Sequence, residues 1–133
     1  MPGSVPVSAL TRVSPTLKDL FGYIYELSPL DMDLLMALIR NKIPMTSEEL
    51  SSCQDRDKSN VFRSLQTLVS LGICNKETRV LRGGGIYHVY SLIPTPSFKK
   101  ETERRVRELD ESIRKILRRF EDEMEEIATT TTR

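Results

Sequence analysis

Tryptophan is absent from this 133-residue chain, and histidine occurs once, as His88. A single imidazole leaves little for a metal site or for a catalytic triad built on histidine. Cys53 and Cys74 are the two cysteines, 21 positions apart and in no CxxC motif. Inside a cell such a pair reads as two buried thiols, not as a structural disulfide. No run of about 18 apolar residues is present, so no membrane-spanning helix is expected. The opening MPGSVPVSALTRVSPT lacks a basic head followed by a long apolar stretch, which argues against a signal peptide. The expected location is the cytoplasm. An excess of one charge is also missing: 20 basic and 19 acidic residues leave a net of +1. That excludes a histone-like basic coat, so any affinity for nucleic acid has to come from a local patch. The remainder, 38% hydrophobic and 29% charged, is ordinary for one globular domain of this length.

Residues 1–13 hold Pro2, Gly3 and Pro6 with little periodicity and read as a flexible arm. Ser14-Pro15 then looks like a cap followed by proline in the first turn. Leu17, Leu20, Phe21, Ile24 and Leu27 supply the apolar stripe of a first helix. Ser28-Pro29 repeats the start signal, with Asp31 placed for a capping box. Leu30, Leu34, Leu35, Leu38 and Ile39 line a second helix that must stop before Pro44. Thr46 or Ser47 caps a short third helix anchored by Leu50. Asp57 caps a fourth, from Lys58 to about Leu71, and Gly72 stands where a left-handed C-terminal cap belongs. Beyond it, Ile73–Leu81 and Ile86–Leu92 are rich in β-branched and aromatic residues. They flank Arg82-Gly83-Gly84-Gly85, which predicts a hairpin with a flexible tip.

The element order of residues 29–92 is that of a winged helix-turn-helix, with helices three and four joined by a turn of about four residues. The predicted fold class is therefore mostly α with a small β-hairpin, followed by a long C-terminal helix. The domain boundaries expected are 14–97 for the winged unit, 98–128 for the long helix and 129–133 for a frayed tail. At about 100° per residue the fourth helix gathers Val61, Phe62, Leu65, Leu68 and Val69 on one side. Ser59, Asn60, Arg63, Thr67 and Ser70 fall opposite, without an acid among them. Arginine can bond guanine, asparagine can bond adenine, and hydroxyls suit bases or phosphates. Arg56 and Lys58 flank the helix start, where backbone N–H groups also attract phosphate. Arg79 and Arg82 bracket the glycine tip, so the wing over 79–87 is a candidate for backbone or minor-groove contact. With Thr46 and Ser47 at the start of helix three, these residues form the candidate DNA-binding set, and double-stranded DNA is the expected partner.

The blocks Thr46-Ser47-Glu48-Glu49-Leu50, Asp57-Lys58-Ser59-Asn60-Val61-Phe62-Arg63-Ser64-Leu65 and Leu68-Val69-Ser70-Leu71-Gly72-Ile73 resemble the DNA-binding domain of prokaryotic transcription regulators. Together with Gly-Gly-Gly-Ile-Tyr-His-Val-Tyr and the charged last helix, they are most similar to TrmB-type archaeal regulators, with the MarR type second. The resemblance runs over about residues 16–127. It implies a small regulator that binds duplex DNA as a dimer. TrmB-type proteins also carry a large sugar-binding domain. These 133 residues hold no counterpart of it, so sugar sensing is not carried over.

A dimer also follows from the last helix itself. Val106, Leu109, Ile113, Ile116 and Phe120 are spaced 3, 4, 3 and 4, and Ile127 comes seven after Phe120, although the position between them is Glu123, with Met124 beside it. This is a heptad seam on a helix expected to run unbroken from Phe98 to about Ala128, roughly 46 Å at 1.5 Å per residue. A core built from 60–70 residues cannot cover all of it, and a second copy is the economical partner. Leu17, Phe21 and Ile24 of the first helix are expected to join that interface.

Three other readings stand beside this one. An enzyme would need a convergent acid–base pair, whereas Glu101, Glu103, Glu108, Asp110 and Glu111 alternate with arginine and lysine as a solvated helix face does. Gly83–Gly85 is not a phosphate loop, because no Lys-Ser/Thr follows. No catalytic activity, metal or cofactor is expected, and no polar cluster marks an effector site. A winged-helix protein-interaction module would expose large apolar side chains on helix four. A redox-sensing regulator would use Cys53, near Arg56 and Lys58.

Overall fold

The computed structural model describes residues 15–130. The expected N-terminal arm and Ser14 lie outside the described residues, as does most of the expected tail. Six helices and one hairpin follow in the order α1 (Leu17–Tyr25), α2 (Pro29–Asn41), α3 (Ser47–Gln54), α4 (Lys58–Ser70), β1 (Cys74–Val80), β2 (Ile86–Leu92), α5 (Thr95–Arg118) and α6 (Phe120–Thr129). Two compact units divide the chain, Met1–Lys99 and Lys100–Arg133, with the boundary inside α5.

Local chemistry sets the helix starts. The first three helices each begin with a reciprocal capping box, pairing Thr16 with Asp19, Ser28 with Asp31 and Thr46 with Glu49. Each box satisfies two backbone donors that the first turn would leave open. Thr16, not the expected Ser14, thus caps α1. Asp57 caps α4 by accepting from the backbone N–H groups of Ser59 and Asn60 at 3.0 and 3.2 Å. At the far end of α4, Ile73 N–H bonds Leu68 O and Gly72 N–H bonds Val69 O. That is a Schellman turn, and Gly72 adopts the φ of +82° it demands.

The core of the first unit is helical at its centre. Leu34, Leu35, Leu50, Val61, Leu65, Leu68 and Ile73 are fully buried there. The hairpin is antiparallel, pairing Cys74 with Leu92 through Val80 with Ile86. Met45 adds a short third edge: its N–H and C=O exchange bonds with Tyr90 at 2.9 and 2.7 Å. This pins the α2–α3 connection to the wing. Phe98, in the first turn of α5, stacks on Phe21 with ring centroids 4.9 Å apart and an interplanar angle of 13°. Tyr25 closes the cluster in tilted contact with both rings. Helices around a helix-turn-helix pair with a two-stranded wing make this a winged helix fold.

Other expectations change as well. The last helix begins at Thr95, because Pro96 is tolerated in a first turn. It is interrupted at Arg119, whose N–H reaches back only to Ile116 O at 3.1 Å, a tighter turn than α-helix. Phe21 is 4% exposed, so the ring expected at a dimer interface is spent on the aromatic core. Cys53 is exposed and only Cys74 is buried. The reason is position: Cys53 lies on the short α3, whose inward positions are taken by Leu50 and Ser51. No helix among the described residues is long and apolar enough to cross a membrane.

Candidate nucleic-acid interface

Helices α3 and α4 are joined through Asp55, Arg56 and Asp57. Asp55 takes a left-handed conformation, φ +52° and ψ +50°, a state that aspartate tolerates better than most residues. The buried Ser51 locks the turn: its hydroxyl donates to Arg56 O at 3.0 Å, and its own C=O accepts from Arg56 N–H at 3.1 Å. The angle between the two helices is therefore held by backbone bonds as well as by packing.

On α4, Val61, Ser64, Leu65 and Leu68 face inward. Ser59, Asn60, Arg63, Thr67 and Ser70 are all exposed, so the expected outward set lies together along one helix face. Arg63 donates from its guanidinium to Asn60 Oδ1, and Thr67 Oγ1 donates to Arg63 O at 3.2 Å. The first bond joins the two side chains best suited to base edges. Two further residues belong to this face. Phe62, expected inward, is 41% exposed, because one position from Val61 turns it about 100° away from the core. Gln66 is exposed as well, between Arg63 and Phe62 on the same helical wheel. The wheel could have found it, and an amide there can bond adenine as asparagine does.

The start of α4 is less open to phosphate than its sequence implies. Asp57 already occupies the N–H groups of Ser59 and Asn60. Arg56 is turned to Asp33 of α2 at 3.3 Å, with both side chains partly exposed. Lys58 is exposed beside them. Thr46 and Ser47 are half-buried: Thr46 Oγ1 is held by Glu49 N–H at 3.0 Å, and Ser47 Oγ donates to Glu48 at 3.4 Å.

The wing tip is closed by Leu81 N–H to Gly85 O at 2.9 Å and Gly84 N–H to Leu81 O at 3.1 Å. Gly83, Gly84 and Gly85 all have positive φ, and a side chain at Gly83 or Gly84 would meet nothing within 4 Å. Backbone conformation, not crowding, is what requires glycine there. Arg79 pairs with Glu77 along its own strand at 3.2 Å, and Arg82 is exposed at the tip. Thr78 Oγ1 meets His88 Nδ1 across the hairpin at 3.1 Å. Val80 and its partner Ile86 are 75% and 62% exposed, an apolar pair at the wing tip that strand periodicity alone did not mark.

Burial pushes the Cys74 thiol up to about 11, so it is protonated at neutral pH. The same cause raises Tyr90, helped by nearby Cys74 and Glu48. Of the remaining first-helix candidates, Leu17 is exposed and Ile24 is half-buried. A groove of about 500 Å³ lies beside Leu17, Ile43, Leu92 and Phe98, with Lys42 as its charged lining residue. Among the described residues no cluster of His, Cys, Asp and Glu could hold a metal ion.

In the second unit Val106, Leu109, Ile113, Ile116, Phe120 and Met124 are exposed, and so are Leu117 and Ile127. The polar faces of α5 are laced by pairs one turn apart. Glu101 accepts from Arg104 and Arg105, which holds its carboxyl below the usual glutamate range. Arg114 bonds Asp110 at 2.9 Å, which raises its guanidinium.

Comparison with known proteins agrees with this architecture. The family described as HVO_A0114 matches residues 26–91, the span from the end of α1 to the wing. The uncharacterized protein MJ1503 of Methanocaldococcus jannaschii is 25% identical over 108 residues, 81% of each chain. Among solved structures, a protein of Methanosarcina mazei Go1 described as a "possible transcriptional regulator" superposes with a TM-score of 0.72 at 18% identity, over 83% of this chain and 95% of its own. The ST1889 protein of Sulfolobus tokodaii superposes at 0.60 and 20% identity, over 72% and 93%. At these identities the likeness is one of fold.

Proposed function

We propose that the chain is a transcription regulator that reads duplex DNA with α4 and acts as a homodimer in the cytoplasm. The observation that carries this is the outward face of α4. It holds Ser59, Asn60, Arg63, Gln66, Thr67 and Ser70, all exposed and none acidic. A helix of 13 residues presented by a helix-turn-helix fits the major groove, with amides and a guanidinium at base edges. The wing follows as a backbone or minor-groove contact through Arg82 and Arg79. The description of the Methanosarcina mazei neighbour supports the same class, and the resemblance of the α3–α4 blocks to TrmB-type regulators agrees with it. The dimer rests on the apolar seam of α5 and α6, which the single chain leaves exposed.

A protein-interaction module is the second reading, favoured by the exposed Phe62 on α4 and by Val80 and Ile86 on the wing. One experiment separates the two: selection of bound sequences from random duplex DNA, repeated at two salt concentrations. A regulator enriches a defined site, with an affinity that falls as salt rises. An interaction module enriches none.

A further inference from the structure

The seam of the second unit is flanked by two blocks of opposite charge. Residues 114–119 hold Arg114, Lys115, Arg118 and Arg119 with no acid, and residues 121–126 hold five acids with no base. Phe120 stands between the blocks, where the Arg119 turn separates α5 from α6. Within the chain the blocks are largely unspent. Arg114 bonds Asp110, and Arg119 bonds Glu123. Lys115, Arg118, Glu121, Asp122, Glu125 and Glu126 have no ion-pair partner among the described residues. Glu125 and Glu126 also lie near the C-terminal end of α6, where the dipole disfavours negative charge. A partner surface rich in cations would offset that cost.

We infer that the occupant of this seam is a second copy running antiparallel, with Phe120 packed on Phe120 of the partner at the two-fold axis. The inference rests on the homodimer reading and adds its direction and register. In a parallel, in-register pair the five acids of each chain would face five acids of the other, within the roughly 8 Å over which such charges repel at physiological salt. Turned antiparallel about residue 120, each basic block faces the partner's acidic block. Five of the exposed apolar positions obey the same symmetry. Residues n and 240 − n meet, so Ile113 faces Ile127 and Ile116 faces Met124, with Phe120 on itself. All five are exposed in the single chain. The charge blocks and these five apolar positions are thus satisfied by one register, as an isologous interface requires, while Leu117 faces Glu123 and Val106 and Leu109 lie beyond the overlap with the partner's α6.

Cysteine cross-linking tests it in a Cys53→Ser, Cys74→Ala background. Ile113→Cys and Ile127→Cys chains of distinguishable mass are mixed and oxidised. Antiparallel pairing gives the mixed disulfide in at least five-fold excess over either self-linked product. Self-linked Ile127→Cys in excess overturns the antiparallel register while leaving the dimer intact. A wild-type chain that sediments as a monomer overturns the dimer reading and this one with it. Nitroxides at Ala128→Cys avoid disturbing the seam. They are separated by about 24 Å along the axis if the pair is antiparallel, from 1.5 Å of rise per residue, and stand side by side if it is parallel.

Discussion

Ser64 of α4 donates its hydroxyl to the Asp31 carboxylate of α2, and both side chains are buried. The other oxygen of Asp31 closes the capping box by accepting from Ser28 N–H at 3.1 Å. One carboxylate therefore fixes the start of α2 and ties it to the proposed reading helix. The position of α4 depends on this polar bond as well as on the apolar contacts of Val61, Leu65 and Leu68.

Ser64→Ala removes the donor and leaves a buried carboxylate oxygen without its partner. The expected loss is about 1–3 kcal/mol of stability, read by urea unfolding with an unchanged slope. Asp31→Ala should cost more, because the cap is lost in addition. A Ser64→Ala midpoint equal to wild type would mean that the bond contributes nothing to holding α4.

The two cysteines should differ sharply in reactivity. Cys53 is exposed, whereas Cys74 is buried with its thiol pushed up to about 11. A thiol reagent at neutral pH should label Cys53 promptly and Cys74 only after unfolding, because the thiolate is the reacting species. Mass spectrometry of peptides checks this. The same proteins give the redox reading a decisive trial: peroxide should leave DNA binding unchanged in wild type and in Cys53→Ser alike.

The helix carrying Glu101 should lose support in acid. Arg104 and Arg105 depress the Glu101 carboxyl, so its contribution is complete above the unfolded value of about 4.3 and fades as pH falls through the lower folded value. Helicity followed by circular dichroism from pH 6 to pH 3 should fall less in Glu101→Gln, which starts lower. Identical acid profiles would contradict the role given to this pair.

Much of the fold was legible because it is written in local signals. Ser28, Thr46, Asp57 and Gly72 each mark a helix end by chemistry that needs no distant partner. The three glycines marked the hairpin for the same reason. What stayed hidden depends on tertiary placement. Phe21 and Leu17 share one apolar stripe, and only the arrival of Phe98 decides which of them is core. Ser14 and Thr16 are both good caps, and Asp19 selects the second. The Arg119 turn interrupts an apolar spacing that otherwise continues, so periodicity passes over it. At the candidate site the outward residues of α4 followed from the helical period. The pairing of Arg56 with Asp33 did not, since it joins residues 23 positions apart.

The most direct test of the central claim is the affinity of Arg63→Ala for a selected duplex, measured beside wild type at two salt concentrations. If α4 reads bases, the variant binds that site about 5- to 150-fold more weakly, corresponding to about 1–3 kcal/mol, and tolerates substitution at one base pair. The salt dependence stays that of wild type, because no phosphate contact is lost. Binding and sequence preference equal to wild type would contradict the assignment of α4 as the reading helix.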